Sequence, residues 1–166
     1  MAYLSKALLV AAALALAACS SPDRFGGAGA GAGAGGVAGS AQDPSSPLYF
    51  QQAVGDRVLF AIDQSNLSPE AIATLDGQAR WLMSNRGFNI LIEGHADEQG
   101  TREYNLALGA RRANAVREYL VSQGVAAGRV DTISYGKERP LEICSEEACY
   151  AKNRRAVTVV SAGPVG

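Results

Sequence analysis

Two hydrophobic rhythms alternate along the chain, and their order predicts a small layered domain. Val58-Leu59-Phe60-Ala61-Ile62 is a short apolar run of the kind that forms a strand. Ser68, Pro69 and Glu70 then make a helix start, with Ser as N-cap, Pro at the first helical position and an acid in the first turn. Ile72, Leu75, Ala79 and Leu82 follow at helical spacing, flanked by Trp81 and Met83, and Gly87 supplies a C-cap. Phe88 to Glu93 reads as a second strand, and its Ile90-Leu91-Ile92 centre is apolar on both faces, as in a strand covered by helices. Thr101 caps a second helix with Glu103 in its first turn; Leu106, Ala110, Ala113, Val116 and Leu120 form its apolar face, and Gly124 ends it. Arg129 to Ser134 is a third strand, stopped by Tyr135-Gly136, and a short helix around Ala148 to Asn153 precedes a β-prone closing strand, Ala156 to Val160. The order is β-α-β-α-β-(loop or short α)-β. Crossover helices between strands predict an α/β (α+β sandwich) fold, with helices packed on one mixed four-stranded sheet.

The N-terminal part follows neither rhythm. After Lys6 an unbroken apolar run, Ala7 to Ala18, is too short for a bilayer span of about 20 residues and reads as a secretory signal. Its end, Leu16-Ala17-Ala18-Cys19, resembles the bacterial lipobox. That resemblance implies that Cys19 becomes a lipidated first residue, and Ser20 in place of Asp implies sorting to the outer membrane. The alternative is an ordinary signal peptide cut nearby, with Cys19 incidental. Acyl burial contributes about 0.8 kcal/mol per CH₂, so several chains on one Cys would hold almost permanently. From Gly26 to Ser40 the chain is nearly all Gly and Ala, and Gln42 to Pro47 is polar and Pro-containing; the whole reads as a flexible linker. The expected organisation is a signal peptide over 1–18, a lipidated N-terminus and linker over 19–47, and a folded domain over 48–162. Such a tether has a mean span of about 30 Å.

Charge and cysteine content narrow the classes further. Fifteen basic against sixteen acidic residues give a net charge of −1, whereas a nucleic-acid partner calls for a basic face. Beyond the signal, Cys144 and Cys149 remain, and an even pair in an exported chain suggests a disulfide, with two free thiols as the alternative.

Candidate chemistry concentrates in Glu93-Gly94-His95-Ala96-Asp97-Glu98 and the helix that follows. Asp97 stands on the loop leaving an apolar strand, and Arg112 lies in the next helix. A ligand carrying both an ammonium and a carboxylate could use both. An acceptor-only anion suits the ammonium, and the planar guanidinium fork suits the carboxylate. The turn Glu98 to Thr101 leads into a helix start whose free N–H groups also favour a carboxylate. Blander readings stay open at each position. Asp97 caps a turn, Arg112 pairs with an acid such as Glu98, and Lys152-Asn153-Arg154-Arg155 is either a basic patch or a corner entering the last strand. Arg111 points to a different helix face from Arg112, and Asn105 is expected to hydrogen-bond the site-forming loop. His95, the only histidine, sits among acids. Catalytic zinc usually takes more than one His, so a packed, hydrogen-bonded side chain is expected there, with no metal and no cofactor. No Gly-x-Ser-x-Gly elbow is present, and no His neighbours the late cysteines in sequence; the chain does not read as an enzyme.

The stretches Glu93 to Glu98, Gly100-Thr101, Glu103 to Asn105, Leu108-Gly109, Arg111 to Val116, Ser134 to Glu138 and Lys152 to Val157 resemble the OmpA-like peptidoglycan-binding domain family. The resemblance runs from about Val58 to Val160. It implies a noncovalent anchor to the meso-diaminopimelate of the stem peptide, on the periplasmic face of a Gram-negative outer membrane. Asp97 would meet the ammonium and Arg112 the carboxylate; Asp63, in the loop after the first strand, would contribute, with Asn105, Thr101, Glu98 and Leu108 in support. It further implies a Tol-type envelope and cell-division system, with a periplasmic β-propeller protein competing with the wall. Ser65 and Asn66 depart from the aromatic and acidic residues that the family often carries there, which puts the rim of the pocket in question. Two alternatives are a wall-binding lipoprotein outside the Tol system and a metal-assisted amidase using Glu93, His95 and Glu98.

Overall fold

The computed structural model describes residues 39–162. The signal-like segment, Cys19 and the Gly/Ala-rich stretch up to residue 38 lie outside the described residues. A short helical turn, Pro47–Tyr49 (α1), runs into a π-helical segment, Phe50–Gly55. Then come β1 (Arg57–Leu59), α2 (Pro69–Ser84), β2 (Phe88–His95), α3 (Arg102–Ser122), a 3-10 turn (Ala127–Arg129), β3 (Val130–Gly136), α4 (Glu147–Asn153) and β4 (Arg155–Ala162). Both long helices begin at the caps read from sequence: Ser68 accepts from the Ala71 N–H at 3.2 Å, and Thr101 accepts from the Tyr104 N–H at 3.2 Å. α2 ends at Asn85, whose N–H donates to the Trp81 carbonyl, two residues before the expected Gly87.

The four strands form one mixed sheet in the order β1-β4-β2-β3. β4 lies antiparallel to both β1 and β2, while β2 and β3 run parallel, joined by α3. α2 and α3 pack on one face. Only alternate residues of the apolar β2 run therefore meet helices: Ile90 and Ile92 are buried, whereas Leu91 lies half-buried on the other face, in a row with Val159 and Asp131. This corrects the expectation of a strand covered on both sides. Leu75, Leu82, Val116 and Leu120 complete the core, each side chain contributing about 1.5–3 kcal/mol on burial.

α3 sits directly on β2. A Cβ on Gly94 would fall 1.9 Å from the Gly109 carbonyl oxygen, so only two glycines permit this approach. The contact rotates the helix away from its simple apolar stripe. Its buried side is Asn105, Leu108, Gly109, Arg112, Ala113, Val116 and Leu120, and Leu106 and Ala110 are only half-buried.

Ordered structure also reaches into the stretch expected to be linker. Ser46 is buried and accepts from the Tyr49 N–H at 3.0 Å, and the Trp81 indole N–H donates to the Pro44 carbonyl at 2.7 Å. Trp81 stacks between Phe50 and Phe88, at centroid distances of 4.9 and 5.4 Å. A buried indole needs an acceptor for its N–H, and residues 40–47 supply it. Among the described residues, no helix is long and apolar enough to cross a membrane.

Candidate functional site

The site lies where three segments leave regular structure at one end of the sheet. β1 stops at Leu59, earlier than its apolar run, because the chain turns back through Ile62 and Asp63, with the Gln64 N–H donating to the Ala61 carbonyl at 3.2 Å. Asp63 has φ 57°, a left-handed conformation that Asp tolerates better than most residues. At the end of β2 the register with β3 shifts between Gly94 and His95, and the Ala96 N–H then donates to the Gly136 carbonyl at 2.8 Å. A bulge of this kind re-aims the side chains that follow it, here those of Asp97 and Glu98. The third segment is the first turn of α3, with Tyr104, Asn105 and Leu108.

These segments enclose a pocket of about 210 Å³. Ile62 and Asp63 come from the first loop, Asp97 and Gln99 from the second, and Tyr104, Asn105 and Leu108 from α3. The Tyr104 hydroxyl donates to Asp63 Oδ1. Asn105 Nδ2 donates to the Gln99 carbonyl at 2.8 Å, bracing the loop from inside the helix. The Lys137 ammonium donates to the Gly100 carbonyl at 2.7 Å and to the Glu98 carbonyl at 3.3 Å. A larger cavity, about 670 Å³ between residues 44–54 and α2, is lined by Tyr49, Val54 and Trp81 and holds one charged side chain, Arg80. Recognition of a doubly charged group favours the smaller pocket, where two carboxylates converge.

Arg112 is not an open fork in this pocket. It is fully buried, and its guanidinium donates to three carbonyls: Nε to Gln64 at 2.8 Å, Nη1 to His95 at 2.8 Å and Nη2 to Ala61 at 3.2 Å. One side chain thus ties the loop carrying Asp63 to the strand end carrying Asp97. Burial draws its pKa down to about 10; Asp97 and Asp63 nearby pull the other way, while Arg154 and Arg111 add to the fall. The group remains cationic at neutral pH. Glu98 is not its partner either, since Glu98 Oε1 accepts from Asn153 Nδ2 at 2.7 Å. Arg111 is exposed and lies 5.9 Å from the Tyr104 ring centroid, on a face away from Arg112.

Asp97 is buried at 8% exposure, and its partner is a residue that sequence spacing did not single out. Its Oδ2 accepts from Arg154 Nη1 at 3.1 Å, and its Oδ1 accepts from the Gln99 N–H at 3.2 Å. The turn-capping role and the pocket-lining position therefore coexist in one side chain. Asn153, Arg154 and Arg155 are all buried, so this segment is the corner entering β4 and not a basic patch. Burial works against the Arg154 charge, but its bonds to Glu147 and Asp97 outweigh that and raise its pKa. Cys144 and Cys149 form a disulfide with a Cα–Cα distance of 6.0 Å, beside this corner. Tyr104 and Arg154 are marked in the sequence only as parts of longer stretches and Glu147 not at all; nothing local points Arg154 to Asp97, 57 positions away.

His95 is buried and packs on Tyr135, with ring centroids 5.6 Å apart. The expected hydrogen bond is absent: neither ring nitrogen has a partner among the described residues, and Glu93 Oε2 stands 3.7 Å from Nε2. Burial, together with the charges of Arg155 and Arg139, pushes its pKa down to about 4. Among the described residues, no three His, Cys, Asp or Glu side chains are grouped to hold a metal ion.

The OmpA family profile matches residues 59–154 of the chain. A peptidoglycan-associated lipoprotein of Rhizobium meliloti is 52% identical over 147 residues, covering 89% of this chain and 82% of that protein. One from Mesorhizobium japonicum is 48% identical over 157 residues, covering 93% and 90%. The crystal structure of the peptidoglycan-associated lipoprotein from Burkholderia pseudomallei matches with a TM-score of 0.65 at 40% identity, covering 73% of this chain and 98% of that one.

Proposed function

This chain belongs to the OmpA family, among its peptidoglycan-associated lipoproteins, and we propose that its pocket holds the free end of meso-diaminopimelate in the cell-wall stem peptide. The role is binding and not catalysis. The observation that carries this reading is the convergence of Asp63 and Asp97, from separate loops, on one small pocket, with the buried Arg112 guanidinium bonded to the backbone of both loops behind it. The two carboxylates receive the ligand ammonium. Arg112 acts in two ways. It locks both acid-bearing loops through their carbonyls, and it sets a positive charge beneath the pocket for the ligand carboxylate. Three of the five guanidinium N–H donors are engaged, so two are left for a ligand that lifts the Ala61 to Gln64 turn.

Family membership and the N-terminal sequence support the remaining parts of this reading. Residues 1–18 act as a signal peptide, and Cys19 carries the lipid that fixes the chain to the periplasmic face of the outer membrane. The Gly/Ala-rich stretch is the tether between lipid and domain. Many heads facing one polymer sheet would hold by avidity even if each pocket binds weakly. In a Tol-type system, a periplasmic propeller protein would compete with the wall for this domain.

Sedimentation with purified sacculi tests the pocket. The protein should pellet with diaminopimelate-type wall and be displaced by a peptide ending in meso-diaminopimelate. It should pellet poorly with lysine-type wall, whose free end keeps the ammonium but lacks the carboxylate. Asp97→Asn should abolish retention. Equal pelleting of Asp97→Asn and parent, or equal retention on both wall types, would overturn the assignment.

A further inference from the structure

The arrangement around Asp97 extends well beyond the pocket. Arg154 is 4% exposed, and its guanidinium makes four hydrogen bonds to three groups. Nη1 reaches Asp97 Oδ2 at 3.1 Å and Glu147 Oε2 at 3.4 Å, Nη2 donates to Glu147 Oε1, and Nε donates to the Phe60 carbonyl at 3.2 Å. Glu147 opens α4 and lies between the two disulfide-bonded cysteines. At the other end of α4, Asn153 holds Glu98 at 2.7 Å, while its Oδ1 accepts from the Leu141 and Glu142 N–H groups at 2.7 and 3.1 Å. Two consecutive residues of the pocket loop, Asp97 and Glu98, are thus held by two consecutive residues at the end of α4.

We infer that Arg154, set in place by Glu147, is the positioning residue for the ligand-binding carboxylate, and that Glu147 preserves the pocket's preference for a cation. The inference rests on the reading of the pocket as an ammonium site. A carboxylate offers about four lone-pair directions. Gln99 and Arg154 each occupy one, so the orientation left for a ligand is fixed by them. A lone Arg beside Asp97 would also cancel the attraction of that carboxylate for an ammonium. Glu147 offsets this. The Glu147 carboxylate stands against the Arg154 guanidinium on the side away from Asp97, and without it that guanidinium would be opposed by Asp97 alone. The Glu147 side chain is 59% exposed and does not line the pocket, so it can be altered without touching the ligand.

Calorimetric titration of the full chain with two synthetic peptides tests this. One ends in meso-diaminopimelate; the other ends in 2-aminopimelate and so lacks only the free ammonium. Glu147→Gln and Arg154→Lys should each weaken the first peptide by about fivefold, the scale of one oriented hydrogen bond. The second peptide should change by less than about twofold, within the scatter of a neutral surface change. Lysine keeps the charge of Arg154 but cannot span Asp97, Glu147 and the Phe60 carbonyl together. Equal weakening of both peptides would reveal a merely structural role and overturn the inference, as would no change in either. A parent protein that binds neither peptide overturns the pocket assignment itself, and this inference with it.

Discussion

Replacing Arg112 by Met separates its structural work from its charge. Methionine fills most of the same volume, so little cavity is made, but it leaves the carbonyls of Ala61, Gln64 and His95 without their donor. Hydrogen bonds to a charged group contribute about 1.5–3 kcal/mol each, so three bonds amount to about 4.5–9 kcal/mol. Part of this is returned, because the folded protein no longer buries a cation. The fall of the Arg112 pKa to about 10, from the ordinary range of a guanidinium, puts that return at about 3 kcal/mol. The balance is a loss of about 1.5–6 kcal/mol, a large share of the roughly 5–15 kcal/mol that holds a domain of this kind together. Urea unfolding at pH 7, followed by the fluorescence of Trp81, the single tryptophan, reads the change directly. The midpoint should fall by about 1–3 M with an unchanged slope. Arg112→Lys, with its charge but no planar fork, should lie between parent and Arg112→Met. A loss below about 1 kcal/mol for Arg112→Met would refute the claim that this guanidinium binds the two loops together.

Three further outcomes are expected. Gly94→Ala places a Cβ 1.9 Å from the Gly109 carbonyl, so helix and strand must separate; it should lower the thermal midpoint by more than 10 °C, consistent with a loss of about 2–3 kcal/mol or more. His95 has a pKa depressed to about 4 in the folded protein. The folded state therefore binds fewer protons than the unfolded state between pH 6.5 and 4, and stability is full above that window and falls as the pH drops through it. Between pH 7 and 4.5 the parent should lose about 2–3 kcal/mol more than His95→Gln in paired urea titrations. Reducing the Cys144–Cys149 bond opens a loop with a sequence separation of 5; chain entropy sets the loss at about 2 kcal/mol, read as a lower urea midpoint in dithiothreitol.

Much of the fold is written locally. Ser68 and Thr101 cap their helices because a hydroxyl before a helical run satisfies a free N–H wherever that run packs. The acid on the loop after β2 is equally visible, since a polar run that interrupts an apolar strand marks the turn into the next helix. The family motif is long enough to be recognised from Glu93 to Val157 without any coordinates. Local pattern misleads where two elements press close. The simple stripe through Leu106 and Ala110 suggests one buried face of α3, but the meeting of Gly94 and Gly109 turns the helix until Asn105 and Arg112 face inward.

The sequence by itself determined the order of the two long helices and four strands, the N-caps of both long helices, and the candidacy of the Cys144/Cys149 pair and of Asp97 and Arg112, because each depends on neighbours within a few turns of chain. The sheet order, with β4 inserted between β1 and β2, was decided only in three dimensions. That insertion brings Arg154 to Asp97 across 57 positions and Arg112 to the Gln64 carbonyl across 48. A guanidinium reads the same in sequence whether it meets a ligand, a carboxylate or a carbonyl. Which of these it meets depends on where distant backbone segments end, and only the packed sheet fixes that.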